Sequence, residues 1–318
     1  MRRATKSKAG RTARWAKWGS LAAKRLAVYL ILICLSYVVV YQFLGRVLVS
    51  VMNEADLNDD TVVFFARHFH LGNYREAIVY MDYWANLLKT GLYVLASALA
   101  QVLAATFVGY GFARFRFFGR RLLFAFVILT LIVPPQIIAM PLYFHFQNFN
   151  LFGLLGAEGF SLLGKPFPVI LLSLTGTGLK SGLIIFMMCQ YFSGFPRELE
   201  ESASIDSAGP LRTFLLIVVP SAKPMLVTSF LFALTWQWTD NFYNSIFMPG
   251  NTFLQKQILT LANSISFSSN MGEGAINVIK VSLVNNAGII LYILPLLLVF
   301  LFGQRHFIEG IERTGIVG

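Results

Sequence analysis

F-P-R-E-L-E-E-S-A-S-I-D-S-A-G-P-L-R-T-F-L-L-I-V-V-P, residues 195–220, is the most acidic segment in the second half of a chain otherwise made of apolar runs. Pro196 suits a first helical turn, where its missing N–H leaves no acceptor unsatisfied. Glu198, Glu200 and Glu201 crowd the positive end of that helix's dipole. Gly209-Pro210 is the stop signal, about four turns on. A polar helix between two apolar runs is badly placed to cross lipid and well placed to dock on a soluble partner.

Outward from that segment, the composition is that of a membrane protein. Of 318 residues, 56% are hydrophobic and only 13% charged, about half the charged share of an average soluble domain. Apolar runs long enough to span a bilayer recur. We place six of them, at 26–44, 87–111, 122–143, 168–192, 218–238 and 287–303. The expected class is an all-α, polytopic membrane protein with six transmembrane helices. The chain divides into a basic leader (1–25), a transmembrane domain (26–303) and a tail (304–318).

The net charge of +11 belongs to the flanks of the spans. It reads as membrane orientation rather than nucleic-acid binding. Residues 1–25 hold nine Lys or Arg and no acid, a leader suited to anionic lipid, with Trp15 and Trp18 one turn apart. With the N-terminus inside, the inside segments carry 9, 4, 3 and 2 basic residues, 18 of 26 in all. The positive-inside rule then puts both termini and the acidic segment in the cytoplasm.

Enzyme and metal chemistry find little support. Gly109-Tyr110-Gly111 follows no strand and is not a nucleotide loop. His68 and His70 lack a third ligand. Cys34 and Cys189 lie inside apolar runs and read as small buried hydrophobes. No metalloprotease or serine-hydrolase motif is present. Asp and Glu are absent from all six runs, which argues against an ion-coupled secondary transporter. Pro134, Pro135, Pro141, Pro220, Pro224 and Pro295 bend or interrupt spans. Lys180, in the fourth run, is expected near the outer half or facing a cavity.

The order Glu201-Ser202-Ala203, Asp206-Ser207-Ala208, Phe214 and Pro220 resembles the EAA loop of ABC importer permeases. Ser202 stands where the family has Ala, and Ser207 where it has Gly. The family's Gly makes a bend that Gly209 could supply instead. Tyr110 to Arg121, Val133-Pro134-Pro135, Pro141-Leu142-Tyr143, Gln304-Arg305, Phe307, Gly310 and Gly315 to Gly318 are similar to the sugar-importer, MalG-like branch.

That resemblance implies a permease subunit in a cell membrane, pairing with a second homologous permease. Two ABC ATPase subunits would carry ATP and Mg, so this chain needs no cofactor. An extracytoplasmic sugar-binding protein would deliver the solute. A cytoplasmic coupling helix between spans four and five (Glu200, Glu201, Ser202, Ala203, Asp206, Ser207, Ala208, Gly209) would seat in one ATPase. The tail residues Gly315, Ile316, Val317 and Gly318 would reach the ATPase interface. An importer for another solute is the nearest alternative. For the solute pathway, Trp236-Gln237-Trp238-Thr239-Asp240-Asn241 offers aromatic faces and polar groups of the kind that hold sugars. Trp236, Trp238, Asp240 and Asn241 are the candidates; an interfacial aromatic belt is the competing reading.

Overall fold

The computed structural model describes residues 2–62, 65–150, 153, 159–270 and 278–315. In chain order the helices are α1 (Arg2–Ser50), α2 (Glu54–Asn58), α3 (Gly72–Tyr80), α4 (Tyr83–Arg114), α5 (Arg120–Ile132), α6 (Pro135–Gln147), α7 (Phe167–Leu174), α8 (Ser181–Ser193) and α9 (Arg197–Ile205). There follow α10 (Pro210–Thr213), a π-helical turn (Phe214–Val218), α11 (Val219–Ser221), α12 (Lys223–Thr239), α13 (Phe242–Phe247), α14 (Leu254–Asn270) and α15 (Val278–Gly315). An isolated bridge between Phe149 and Phe160 is the extended pairing among the described residues. The all-α class holds.

Among the described residues three helices are long and apolar enough to cross a bilayer: Lys24–Ser50 within α1, α4, and Val278–Arg305 within α15. The remaining three expected spans are each broken. Pro134-Pro135 splits the third into α5 and α6, bent by 103°; Pro141 sits inside α6 without breaking it. The fifth run does not begin at 218. Residues 210–221 form a separate limb at 76° to α12, because Pro220 and Pro224 bracket the junction and lack the N–H groups that would continue one helix. The fourth run is α7 and α8 with a break at 175–180. At 8 and 13 residues, these helices measure roughly 12 and 20 Å, short of a bilayer core of about 30 Å.

The chain divides into two compact units, residues 1–74 with 277–290 and residues 75–276 with 291–318. In the first, the end of α1 is tied to the following connection. Ser50 Oγ lies 2.7 Å from Tyr74 Oη, and Asn73 Nδ2 donates to the carbonyls of Ser50 and Met52. Arg46 near the end of α1 donates to Asn286 Oδ1 at 3.2 Å. The segment 53–70 is stapled by its own side chains. Buried Asp56 accepts from the His68 N–H at 3.0 Å, and Asp59 pairs with Arg67 at 2.9 Å. The His68 amide holds the Asp56 carboxyl below the usual carboxylate range, and the Thr61 hydroxyl and N–H do the same for Asp59. Among the described residues no three His, Cys, Asp or Glu converge on a metal position.

The second unit is organised around α4. One stripe of it is buried: Thr90, Tyr93, Val94, Ser97, Ala98, Gln101, Val102, Ala105 and Gly109, at helical spacing. Small residues on this stripe let neighbouring backbones approach, as membrane packing requires in the absence of a hydrophobic drive between helices. Gly109 makes the closest approach: a Cβ there would stand 2.7 Å from Met188 Cβ and 3.0 Å from the Cys189 nitrogen of α8. Gln101 reaches across from the centre of α4. Its Nε2 donates to the Leu179 carbonyl (2.7 Å) and Ser181 Oγ (3.0 Å), binding the break in the fourth span.

Gly109→Leu is expected to lower stability by about 1–3 kcal/mol through overpacking of α4 on α8. Gly111→Leu, whose Cβ meets nothing within 4 Å, serves as the control. Thermal unfolding of the detergent-solubilised protein compares the two, and equal melting temperatures would contradict the packing account.

Candidate functional site

The acidic segment folds as expected in kind and differs in detail. Pro196 caps α9 with φ −57° and ψ 128°, and Glu198 and Glu200 lie in the first turn. The helix ends at Ile205, sooner than Gly209-Pro210 suggests. Its terminus is a Schellman motif: the Ala208 N–H donates to the Ala203 carbonyl (3.0 Å), and the Ser207 N–H to that of Ser204 (3.1 Å). This closure needs a left-handed residue between Asp206 and Ala208. Ser207 takes it, with φ +59°.

Gly209 therefore does not supply the bend. It has φ −68° and ψ 160°, an ordinary extended conformation, and serves as the N-cap of α10. The family's Gly is explained, since only glycine enters the left-handed region without steric cost. Ser202 and Ser204 turn their hydroxyls back onto the carbonyls of Glu198 and Glu200.

The segment has two faces. Ala203 is buried, and Glu200 is turned inward, its carboxylate 3.0 Å from Arg114 Nε. The N–H is not aligned with the carboxylate, so the contact is a coulombic pair rather than a directed hydrogen bond. Glu201, Ser202, Asp206, Ser207 and Gly209 are exposed, and Ala208 is half-buried. Exposed apolar side chains border them, Leu199, Ile205 (83%) and Leu211. Acidic groups set among uncovered aliphatic ones form a surface suited to a partner with basic and apolar patches.

The pathway candidates separate. Residues two apart on a helix point roughly 200° apart, so Trp236 and Trp238 cannot share a face. Trp238 is buried against Tyr292, whose hydroxyl donates to the Trp238 carbonyl at 2.9 Å. Asp240 is buried just ahead of α13, its Oδ1 accepting from the first N–H groups of that helix, those of Phe242 (3.0 Å) and Tyr243 (3.3 Å). Asn241 is exposed at the start of α13.

Trp236 is half-buried, stacked on Phe232, with Lys180 Nζ 4.8 Å from its ring centroid. Lys180 has φ +54° and begins α8 at the break in the fourth span. Exposed Thr175 and Thr177 lie in that break, and half-buried Thr235 precedes Trp236. A cation and an aromatic face thus meet at an interrupted helix, the kind of place in which membrane transporters build solute sites. Sequence reasoning singled out Lys180 and Trp236 separately and missed their pairing. The signal was the glycine pair Gly176 and Gly178, which marks the break. For the tail, α15 runs to Gly315; Ile316, Val317 and Gly318 lie outside the described residues.

The family model for the inner membrane component of binding-protein-dependent transport systems matches residues 101–313, from the centre of α4 through both sites. The chain belongs to that family. A probable ABC transporter permease of Pyrococcus horikoshii is 31% identical over 225 residues, covering 70% of this chain and 72% of that protein. The maltodextrin transport system permease of Bacillus subtilis is 30% identical over 304 residues, covering 92% and 96%. These relatives bear out the resemblance to sugar-importer permeases. The fold matches a solved bacterial ABC transporter involved in the import of the acidic polysaccharide alginate, with a TM-score of 0.69 at 19% identity, covering 89% of this chain and 95% of that one. The permease is a multi-pass membrane component of a transport system and not an enzyme.

Replacing the left-handed serine tests the Schellman closure. Ser207→Gly is expected to stabilise the permease by about 0.5–1 kcal/mol, the left-handed penalty less the backbone entropy glycine loses. The check is a rise in melting temperature; a fall would mean that the bend is not held in solution.

Proposed function

We propose that this chain is the transmembrane permease subunit of an ATP-driven carbohydrate importer, forming half of the translocation pathway. The observation that carries the reading is the two-faced α9. One face is anchored within the permease, and the other presents Glu201, Ser202 and Asp206 beside Leu199 and Ile205. The sugar assignment is supported by the relatives that share most of the chain's length, such as the maltodextrin permease.

In this reading a second, homologous permease completes the pathway, and an extracytoplasmic binding protein supplies the sugar. Two ABC ATPase subunits bind ATP and Mg, and α9 seats in a groove of one of them. Both termini are cytoplasmic, and the tail from Gly315 reaches the ATPase interface. Closure of the ATPase dimer draws the two coupling helices together. The chain continues from α9 back into α8 and forward into α10 and α12, so spans four and five move with it. Trp236 and Lys180 contact sugar, whereas Trp238 and Asp240 hold the wall behind them. No covalent step falls to this chain; its work is to bind, orient and move.

Pull-down of the chain from its native membranes in mild detergent tests the assignment. A second permease and an ABC ATPase should accompany it, and recovery alone even after crosslinking would overturn the reading. Charge reversal by Glu201→Lys is expected to weaken ATPase docking by about 2 kcal/mol or more, as for other charges at an interface. ATPase recovered per permease reports it, and undiminished recovery would remove Glu201 from the interface. Trp236→Ala should reduce uptake while preserving melting temperature and assembly. Trp238→Ala should instead destabilise the fold, by about 3–5 kcal/mol for a buried aromatic. The reverse pattern would exchange their roles.

A further inference from the structure

Arg114 is the last residue of α4, at a helix end where arginine side chains ordinarily extend into water. This one turns inward, its side chain only 7% exposed. It engages three groups of the segment 195–220. Its Nε lies 3.0 Å from Glu200 Oε1, its Nη2 donates to the Phe195 carbonyl at 2.6 Å, and its guanidinium carbon stands 5.9 Å from the centre of the Phe195 ring.

The preceding turns of α4 continue the grip. Tyr110 packs on Phe214 (4.6 Å between ring centres) and edge-on to Phe192 (5.5 Å), and Phe107 packs on Phe214 (5.2 Å). The last turns of α4 are thus held by residues before α9 (Phe192, Phe195), within it (Glu200) and after it (Phe214). Chain connectivity joins α9 to α8 and α10. It does not join α9 to α4, so this clasp is a separate mechanical link.

We propose that Arg114 is a positioning residue, locking α9 to the end of α4 so that the two move as one body. The inference rests on α9 being the docking helix of an importer. A stroke delivered to α9 then passes into α4 as well as along the chain. From α4 it reaches the break in the fourth span, because Gln101 in the middle of α4 holds Leu179 and Ser181 on either side of Lys180.

The chemistry suits a rigid joint. Removing either charge of the shielded pair leaves the other uncompensated, so the joint resists opening. Arginine's planar fork reaches a carboxylate and a carbonyl at once, which lysine's single ammonium does not. The two neighbouring acids thereby divide the work: Glu200 faces the transmembrane helix and Glu201 faces outward.

Spin labels test the joint in the full chain, with any partners that co-purify. Cysteines placed at exposed Ser204 on α9 and exposed Leu99 on α4, in a background with Cys34 and Cys189 replaced by Ala, report the α9–α4 distance by pulsed electron resonance. With Arg114 and Glu200 intact the distance distribution should be narrow, and unchanged by MgATP with vanadate. Arg114→Gln and Glu200→Gln should broaden it, and Arg114→Lys, which keeps the charge but not the fork, should broaden it less than Arg114→Gln.

Distributions as narrow in both glutamine variants as in the parent would overturn the proposal. So would an Arg114→Lys distribution as broad as that of Arg114→Gln, since loss of packing rather than loss of the charge pair would then explain the broadening. If no ATPase co-purifies, the importer reading fails, while the α9–α4 distance without nucleotide still decides whether Arg114 is the joint.

Discussion

Within a bilayer, every backbone N–H and C=O must find its partner inside the protein, and this chain interrupts three of its spans. The interruptions survive because side chains elsewhere take up the freed groups. The clearest case is Gln101, whose amide reaches from α4 to the Leu179 carbonyl and Ser181 Oγ. Within the break itself, the Thr177 N–H and the Thr175 hydroxyl turn back onto carbonyls of α7. Without such partners, residues 175–180 would be forced into a continuous helix or out of the membrane, and Lys180 would lose its place over Trp236. The break and α4 are therefore one design: a straight, fully bonded helix bears the polar side chain that permits a broken neighbour.

The same helix serves the other end of the unit by a different interaction. At its centre α4 uses an uncharged amide. At its end it uses a shielded ion pair and an aromatic cluster, where Tyr110, Phe107, Phe192 and Phe214 share contacts. The π-helical turn that carries Phe214 ends two residues before Pro220, and the wider turn accommodates the ring that would otherwise strike the carbonyl four residues back. Phe214 and Pro220, two separate matches to the family pattern in the sequence, are thus parts of one local solution. The proline sets the wide turn, and the turn presents the phenylalanine to α4.

Much of the acidic segment was legible in the sequence because its signals are local. Pro196, the early acids and the polar composition between apolar runs announce a short helix at a membrane boundary. The helix's end was misread because Gly209-Pro210 is a strong stop signal, while the actual stop uses a serine in a conformation serines seldom adopt. Hydrogen bonds across Ala203 to Ala208 select that conformation, and no propensity reports them. Among the pathway candidates, composition pointed to a region rich in aromatic and polar groups. It did not separate a tryptophan that packs behind the wall from one that faces the break.

The sequence by itself determined that the chain is helical and rich in membrane-spanning runs, roughly where those runs lie, and which of them the prolines and glycines interrupt. These follow from hydropathy and from backbone chemistry within a few residues. Only the tertiary structure decided that Glu200 turns inward while Glu201 turns out, that Trp236 rather than Trp238 meets Lys180, and that α9 is clasped to a helix some 80 residues earlier in the chain, the separation of Arg114 from Phe195 being 81. Those choices depend on contacts between distant segments. Neighbouring residues of the same type carry the same local preferences, and only the position of the packed partner distinguishes them.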